Sequence, residues 1–181
     1  MSYVVDRFIV KFDELNLLTV NLMQNETAKK AVSDFNDILI DAYIEGIAAA
    51  AYIMGEDIDI DENRLKRALN KEYNGQSIQD KLIEYYFDGD ITRAKTLIDS
   101  EFHRVYNTAL FEGAKESGAR TKTWVTVGDD KVRDTHYYLE GVTIPIDAEF
   151  ITYTGDRALY PSGFESAEEN ANCRCILDFS R

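Results

Sequence analysis

The sequence predicts an α+β protein: a helical N-terminal half followed by a small β-containing C-terminal unit. Both prolines, Pro145 and Pro161, lie near the C-terminal end, so none interrupts the N-terminal helices. Between Asn25 and Met54, Ala28, Ala31, Val32, Phe35, Ile38, Leu39, Ala42, Tyr43, Gly46, Ile47 and Ala50 recur at three- and four-residue steps, which forms one apolar helix face. After Gly118 the texture changes: TKTWVTVG alternates β-branched and polar residues, as a half-buried strand does.

In chain order, Val4 to Leu22 reads as a first helix, with its β-branched residues leaving a strand open. Asn25 is placed to cap the second, with Glu26 in its first turn and Gly55 as its stop. The acidic run GEDIDIDEN is a linker, and Asp61 caps a helix over Glu62 to Tyr73 that Gly75 ends. Gln76 or Ser77 starts the next helix, which stops at Gly89. Asp90 then caps a long helix from Ile91 to about Glu116, with Gly118 beyond it. In the remainder, GDD is a turn and VRDTHYYLEG is a short helix or an irregular turn. GVTIPIDAEFITYTG gives short extended segments, YPSGFESAEEN a loop and CRCILDF a closing strand. The chain divides into a helical region, 1–90, which is of the variable kind in the family resembled below, and a second region, 91–181.

The formal net charge is -13, with 33 acidic residues against 20 Lys and Arg. That excess excludes a bare duplex-DNA reader and a polybasic membrane binder. At 45% apolar the chain is nevertheless able to bury a core. No stretch approaches the roughly 20 apolar residues of a membrane span. The acids at Asp6, Asp13 and Glu14 do not suit a secretory signal, so the expectation is an intracellular, soluble protein without membrane association. Cys173 and Cys175 are too close in sequence for an unstrained mutual disulfide, and free thiols suit a reducing compartment.

Three clusters carry chemistry. Glu101 lies beside the apolar face of its helix, with Arg104 three residues on. A structural ion pair joining this helix to the C-terminal half is favoured over an acid/base role, because an unpaired buried carboxylate is costly. His103 and Asn107 form an i, i+4 pair with a structural role. Asp129, Asp130, Arg133, Asp134 and His136 read as turn chemistry ahead of a metal or acid/base site. Cys173 and Cys175 on one strand face supply half of a zinc site at most, to which His136 would add. Buried free thiols are the favoured reading, with Arg174 facing solvent or a carboxylate. A Cys/His nucleophile pair can be drawn on paper from either cysteine with His136. No phosphate-binding glycine loop, GxSxG or HExxH is present.

Taken in order, these clusters resemble the head morphogenesis domain of tailed phages, the phage Mu F-like minor head proteins, over residues 93–181. Arg93, Ser100, Glu101, Arg104, Asn107 and Gly118 stand at the family's helix positions, with Ser100 in place of its usual Thr. Lys122 and Trp124 follow, then Asp129, Val132, Arg133 and His136 as D-x-x-V-R-x-x-H. Leu139, Gly141 and Phe150 come next, and Asn172, Cys173, Arg174 and Cys175 close the pattern as NCRC. The family often has His and Pro just before NCRC; here the stretch is SAEENA, which removes a metal ligand.

The resemblance implies a non-enzymatic assembly role in the virion head, or in the host cytoplasm during assembly. Portal protein, scaffold or major capsid protein would be the partners, and packaged DNA a further contact. It implies no cofactor and no metal, with the motif residues structural. The alternatives are a metal-dependent hydrolase or nuclease using His136, Asp129, Asp134 and Cys173, and an acidic DNA mimic, which the interleaving of acids with bases disfavours. Acids outnumber bases by 9 in residues 1–90 and by only 4 in 91–181. The helical half therefore suits a basic partner. Lys115, Arg120, Lys122, Lys131 and Arg133 form the one strip suited to DNA.

Overall fold

The computed structural model describes residues 15, 17–24 and 27–181. The expected first helix lies partly outside them; within them, residues 17–23 are helical and Leu22 is buried. Helix α1 is Ala28–Met54, capped by the Thr27 hydroxyl, which accepts from the Lys30 amide at 3.2 Å. The expected capping residue, Asn25, lies outside the described residues with Glu26. Thr27, with its extended backbone, performs the task. Helix α2, Glu62–Leu69, is capped by Asp61 as its sequence indicates.

The helix expected to reach Tyr73 stops at Leu69. A hairpin of β1 (Glu72–Tyr73) and β2 (Gln76–Ser77) follows. Its two-residue turn is Asn74-Gly75, both at positive φ, the pairing that matches strand twist in tight hairpins. Gly75 thus turns a hairpin and does not end a helix. Ser77 caps α3, Ile78–Asp88, and Asp90 caps α4, Ile91–Glu116.

Helices α1 and α4 form the main packing layer. Their approach is set by small residues. A Cβ on Gly46 would lie 2.4 Å from the Tyr106 carbonyl oxygen, and one on Gly113 would lie 3.0 Å from the Ala50 Cβ. Larger side chains at this crossing would force the helices apart. Phe35, Leu39, Tyr43, Ile98, Val105 and Leu110 belong to one buried cluster that also includes Trp124 and Leu177. Residues 1–90 and 91–181 therefore share a core across their boundary.

The C-terminal unit is built on an antiparallel three-stranded sheet in the order β4 (Thr143–Pro145), β3 (Thr121–Val125), β7 (Ile176–Ser180). Trp124 pairs with Leu177 across β3 and β7. The alternation of β3 turns Lys122 and Trp124 inward, both fully buried. A second hairpin joins β5 (Phe150–Ile151) to β6 (Arg157–Ala158). Two one-turn helices complete the unit: α5, Asp134–Tyr137, and α6, Ala167–Asn170, the latter within the expected loop. The closing strand begins at Ile176, so the two cysteines precede it. The α+β class stands. Among the described residues no helix is long and apolar enough to cross a membrane.

Candidate functional site

The motif residues centre on two buried polar clusters, one on α4 and one around His136. In the first, Arg104 Nε donates to Glu101 Oε2 at 2.7 Å, with side-chain exposures of 10% and 3%. Glu101 also accepts from the Tyr73 hydroxyl at 2.7 Å, and a second Arg104 nitrogen donates to the Ala68 carbonyl at 2.7 Å. Ala68 lies in the last turn of α2, where carbonyls lack helical partners. The pair therefore fastens α4 to α2 and the β1–β2 hairpin. That corrects the expectation that it joins α4 to the C-terminal half. Burial, then the Glu101 charge, raises the Tyr73 pKa, so its hydroxyl keeps its proton.

In the second cluster, one turn of α5 places His136 under β3. Its ring meets Trp124 edge-on at 5.2 Å between centroids and stacks on Phe164 at 5.5 Å. Nδ1 lies 3.5 Å from both the Cys173 and Cys175 sulfurs. Nε2 lies 3.0 Å from Glu169 Oε2 in a bent, ion-pair geometry, and the Thr135 hydroxyl holds that carboxylate at 2.8 Å. The Cys175 thiol, then His136, hold Cys173 well below the usual thiol range. The bond to Cys173, with burial, pushes Cys175 up. The cysteines share a side although neither lies in the strand, both sulfurs standing 3.5 Å from the same nitrogen; Asn172 ahead of them is left-handed (φ 53°).

The other motif residues hold this second cluster in place. Asn107, fully buried on α4, donates to the His103 and Cys175 carbonyls, each at 3.1 Å. Burial pushes His103 down to about 4, which leaves its imidazole neutral at physiological pH. Arg174 grips Asp129 with two bonds of 2.7 Å, which holds the Asp129 carboxyl below its usual range. Arg174 thus turns to a carboxylate, as its spacing indicates. Arg133 donates to the Glu168 and Ala171 carbonyls and so pins the α6 segment beneath α5. Gly141, at φ 72°, returns the chain so that its amide donates to the Trp124 carbonyl at 2.9 Å.

Sequence reasoning missed Tyr73 and Glu169. The Asn-Gly hairpin signal would have placed Tyr73 on a strand. Glu169 carries no local signal, since only the fold brings α6 to α5.

The basic strip does not survive as read. Lys122 is fully buried, Lys115 pairs with Asp147, and Arg133 is engaged by backbone carbonyls. Arg120 and Lys131 remain exposed. Lys122 Nζ lies 4.6 Å from the Phe111 ring centroid and 5.5 Å from that of Phe150, and burial pushes its pKa down to about 8. Below about pH 8 the folded state carries the full cost of this charge. Between about 8 and the ordinary 10.5 the unfolded chain binds more protons, so stability rises with pH. Lys122→Met is expected to gain about 2–3 kcal/mol at pH 7 and to flatten the rise between pH 8 and 10, measured by urea denaturation at each pH. A less stable Lys122→Met would show that the aromatic contacts outweigh the desolvation.

Residues 59–178 match the family described as Phage Mu protein F like protein. The chain belongs to that family. The match takes in about two-thirds of the sequence and begins well before residue 93, so α2, the β1–β2 hairpin and α3 belong to the family's unit with α4 and the sheet. The Glu101–Arg104 bonds to Ala68 and Tyr73 give the physical reason: this unit is closed by contacts from before α4. The Mu F-like chain is thus of the phage head morphogenesis type. It is also similar to an NAD(+)–arginine ADP-ribosyltransferase EFV of Enterococcus faecalis (strain ATCC 700802 / V583), at 41% identity over 66 residues. That segment is 36% of this chain and 13% of the relative, so the transferase name belongs to that longer protein. No solved structure matches the chain.

Proposed function

We propose that this Mu F-like chain is a non-enzymatic minor head protein that joins the procapsid through the portal, scaffold or major capsid protein. The family match over residues 59–178 carries the reading. The polar motif residues support it, because the fold itself uses them. Glu101 is closed by Arg104 and Tyr73, and Asp129 by Arg174. The alternative hydrolase needs Asp129 and Asp134 beside His136, yet among the described residues the groups that converge with His136 on a metal-sized space are Cys173 and Cys175.

Partner contact fits two surfaces. The helical half carries most of the excess negative charge, which suits a basic partner. On the C-terminal unit Tyr137, Tyr138 and Tyr153 are 69%, 73% and 61% exposed, and Tyr138 meets Tyr153 edge-on. Exposed aromatic rings of this kind are common anchors at interfaces.

The test is co-expression of the tagged full chain with portal, scaffold and major capsid proteins from the same source genome. Retention of the portal or another head component is expected, weakening as salt screens the acidic face. If no head component is retained at low salt, the assembly reading fails.

A further inference from the structure

We propose that His136, Cys173 and Cys175 bind a zinc ion, with Glu169 as the carboxylate that orients the histidine. Their ligand atoms lie within 4.8 Å of one another and all three residues are buried. Nδ1 is equidistant from the two sulfurs at 3.5 Å. With Zn–N of about 2.0 Å, Zn–S of about 2.3 Å and tetrahedral angles, a nitrogen and a sulfur on one zinc are about 3.5 Å apart. The two observed N···S separations match that ligand-to-ligand edge. Hydrogen bonding also fits the cluster, with one thiol bonded to the other and the second to the single Nδ1 lone pair. A cation at the centre of the three atoms accounts in addition for the equal distance of Nδ1 from both sulfurs.

The surroundings fit as well. A metal-bound histidine commonly has a carboxylate at its other nitrogen, which fixes the tautomer. Glu169 stands 3.0 Å from Nε2, itself held by Thr135, with Arg133 at 3.7 Å. The contact is bent and electrostatic, not a hydrogen bond; it favours the tautomer with its proton on Nε2 and so leaves the Nδ1 lone pair facing the sulfurs. Two soft sulfurs with one imidazole select zinc over oxygen-preferring calcium or magnesium.

Three protein ligands leave a fourth position. A crevice of about 20 Å³ opens beside the cluster, lined by Val127, Val132 and Asn172 among others. That is room for one water molecule. Binding would release the thiol protons to solvent and tie α5 to the segment before β7. It would also explain why Asn107 and Arg133 converge on the backbone around the cysteines. This inference does not depend on which head protein is the partner.

The test uses the full chain purified without chelator or histidine tag. Metal analysis after gel filtration should give about one zinc per chain, falling at least tenfold in Cys173→Ser and in His136→Ala. A second measurement needs no variant. Wild-type protein stripped of metal and titrated with Co²⁺ should show thiolate-to-cobalt charge transfer with the intense visible bands of tetrahedral cobalt, and Zn²⁺ should abolish both. Metal should also protect both thiols from a thiol-specific reagent. The proposal is overturned if the folded wild-type chain takes up neither ion and its thiols react equally with and without zinc. Zinc retained undiminished by both variants would place the ion elsewhere and overturn it equally.

Discussion

Arg104→Ala is expected to cost about 3–5 kcal/mol of folding stability, because it strands the Glu101 carboxylate in a nearly dry site. Arg104 Nε bonds Glu101, and its guanidinium also satisfies the Ala68 carbonyl at the end of α2. Truncation removes both bonds, while the Tyr73 hydroxyl alone remains on Glu101. Urea denaturation followed by far-ultraviolet circular dichroism reads the loss. The companion variant Arg104→Met with Glu101→Gln should recover a large part of it, since no charge is then left unpaired. Tyr73 can still donate to the amide oxygen. A loss below about 1 kcal/mol in Arg104→Ala would mean that water reaches Glu101, and that the pair is not the clamp described above.

Trp124→Ala should have a comparable effect, about 3–5 kcal/mol. Trp124 is fully buried, and its ring meets Phe150 at 5.0 Å, His136 at 5.2 Å and Phe164 at 6.0 Å between centroids. It is the side chain on which β3, α5 and the segment before α6 converge. Because it is also the single tryptophan, unfolding of the variant must be followed by circular dichroism and not by indole fluorescence. Trp124→Phe, which keeps an aromatic ring, should lose clearly less. Equal losses in the two variants would argue that the indole itself, and not the filling of the space, is what the site needs.

The helical part was largely legible because its signals are local. Asp61, Ser77 and Asp90 act as caps where their positions say they should, and α4 spans the range its periodicity marks. The hairpin at Glu72–Ser77 was misread although Asn74-Gly75 announces it; two-residue strands are too short to show alternation. The Glu101–Arg104 pair was legible as a pair, but its attachment to Ala68 and Tyr73 was not. Sequence spacing says which residues share a helix face and nothing about which element covers that face. The same limit applies to the cysteines. Spacing alone left half a site, to which His136 was read as an addition; Glu169 behind it was not legible, because it stands on a one-turn helix within an expected loop. Lys122 shows the reverse: counted as a surface cation, it is taken inside by the strict alternation of β3.

The pairing of β3 with β7 has a kinetic meaning. Thr121–Val125 is covered on one edge by β4, which follows closely, but on the other by Ile176–Ser180, more than fifty residues downstream. Such a distant partner arrives late in folding, because the intervening loop must be closed before the contact repays it. Until then the inner face of β3 has an unpaired edge beside a bare indole. The interval before β7 docks is therefore when this chain is most exposed to association with other copies of itself, and anything that holds the segment before β7 close to α5 shortens it.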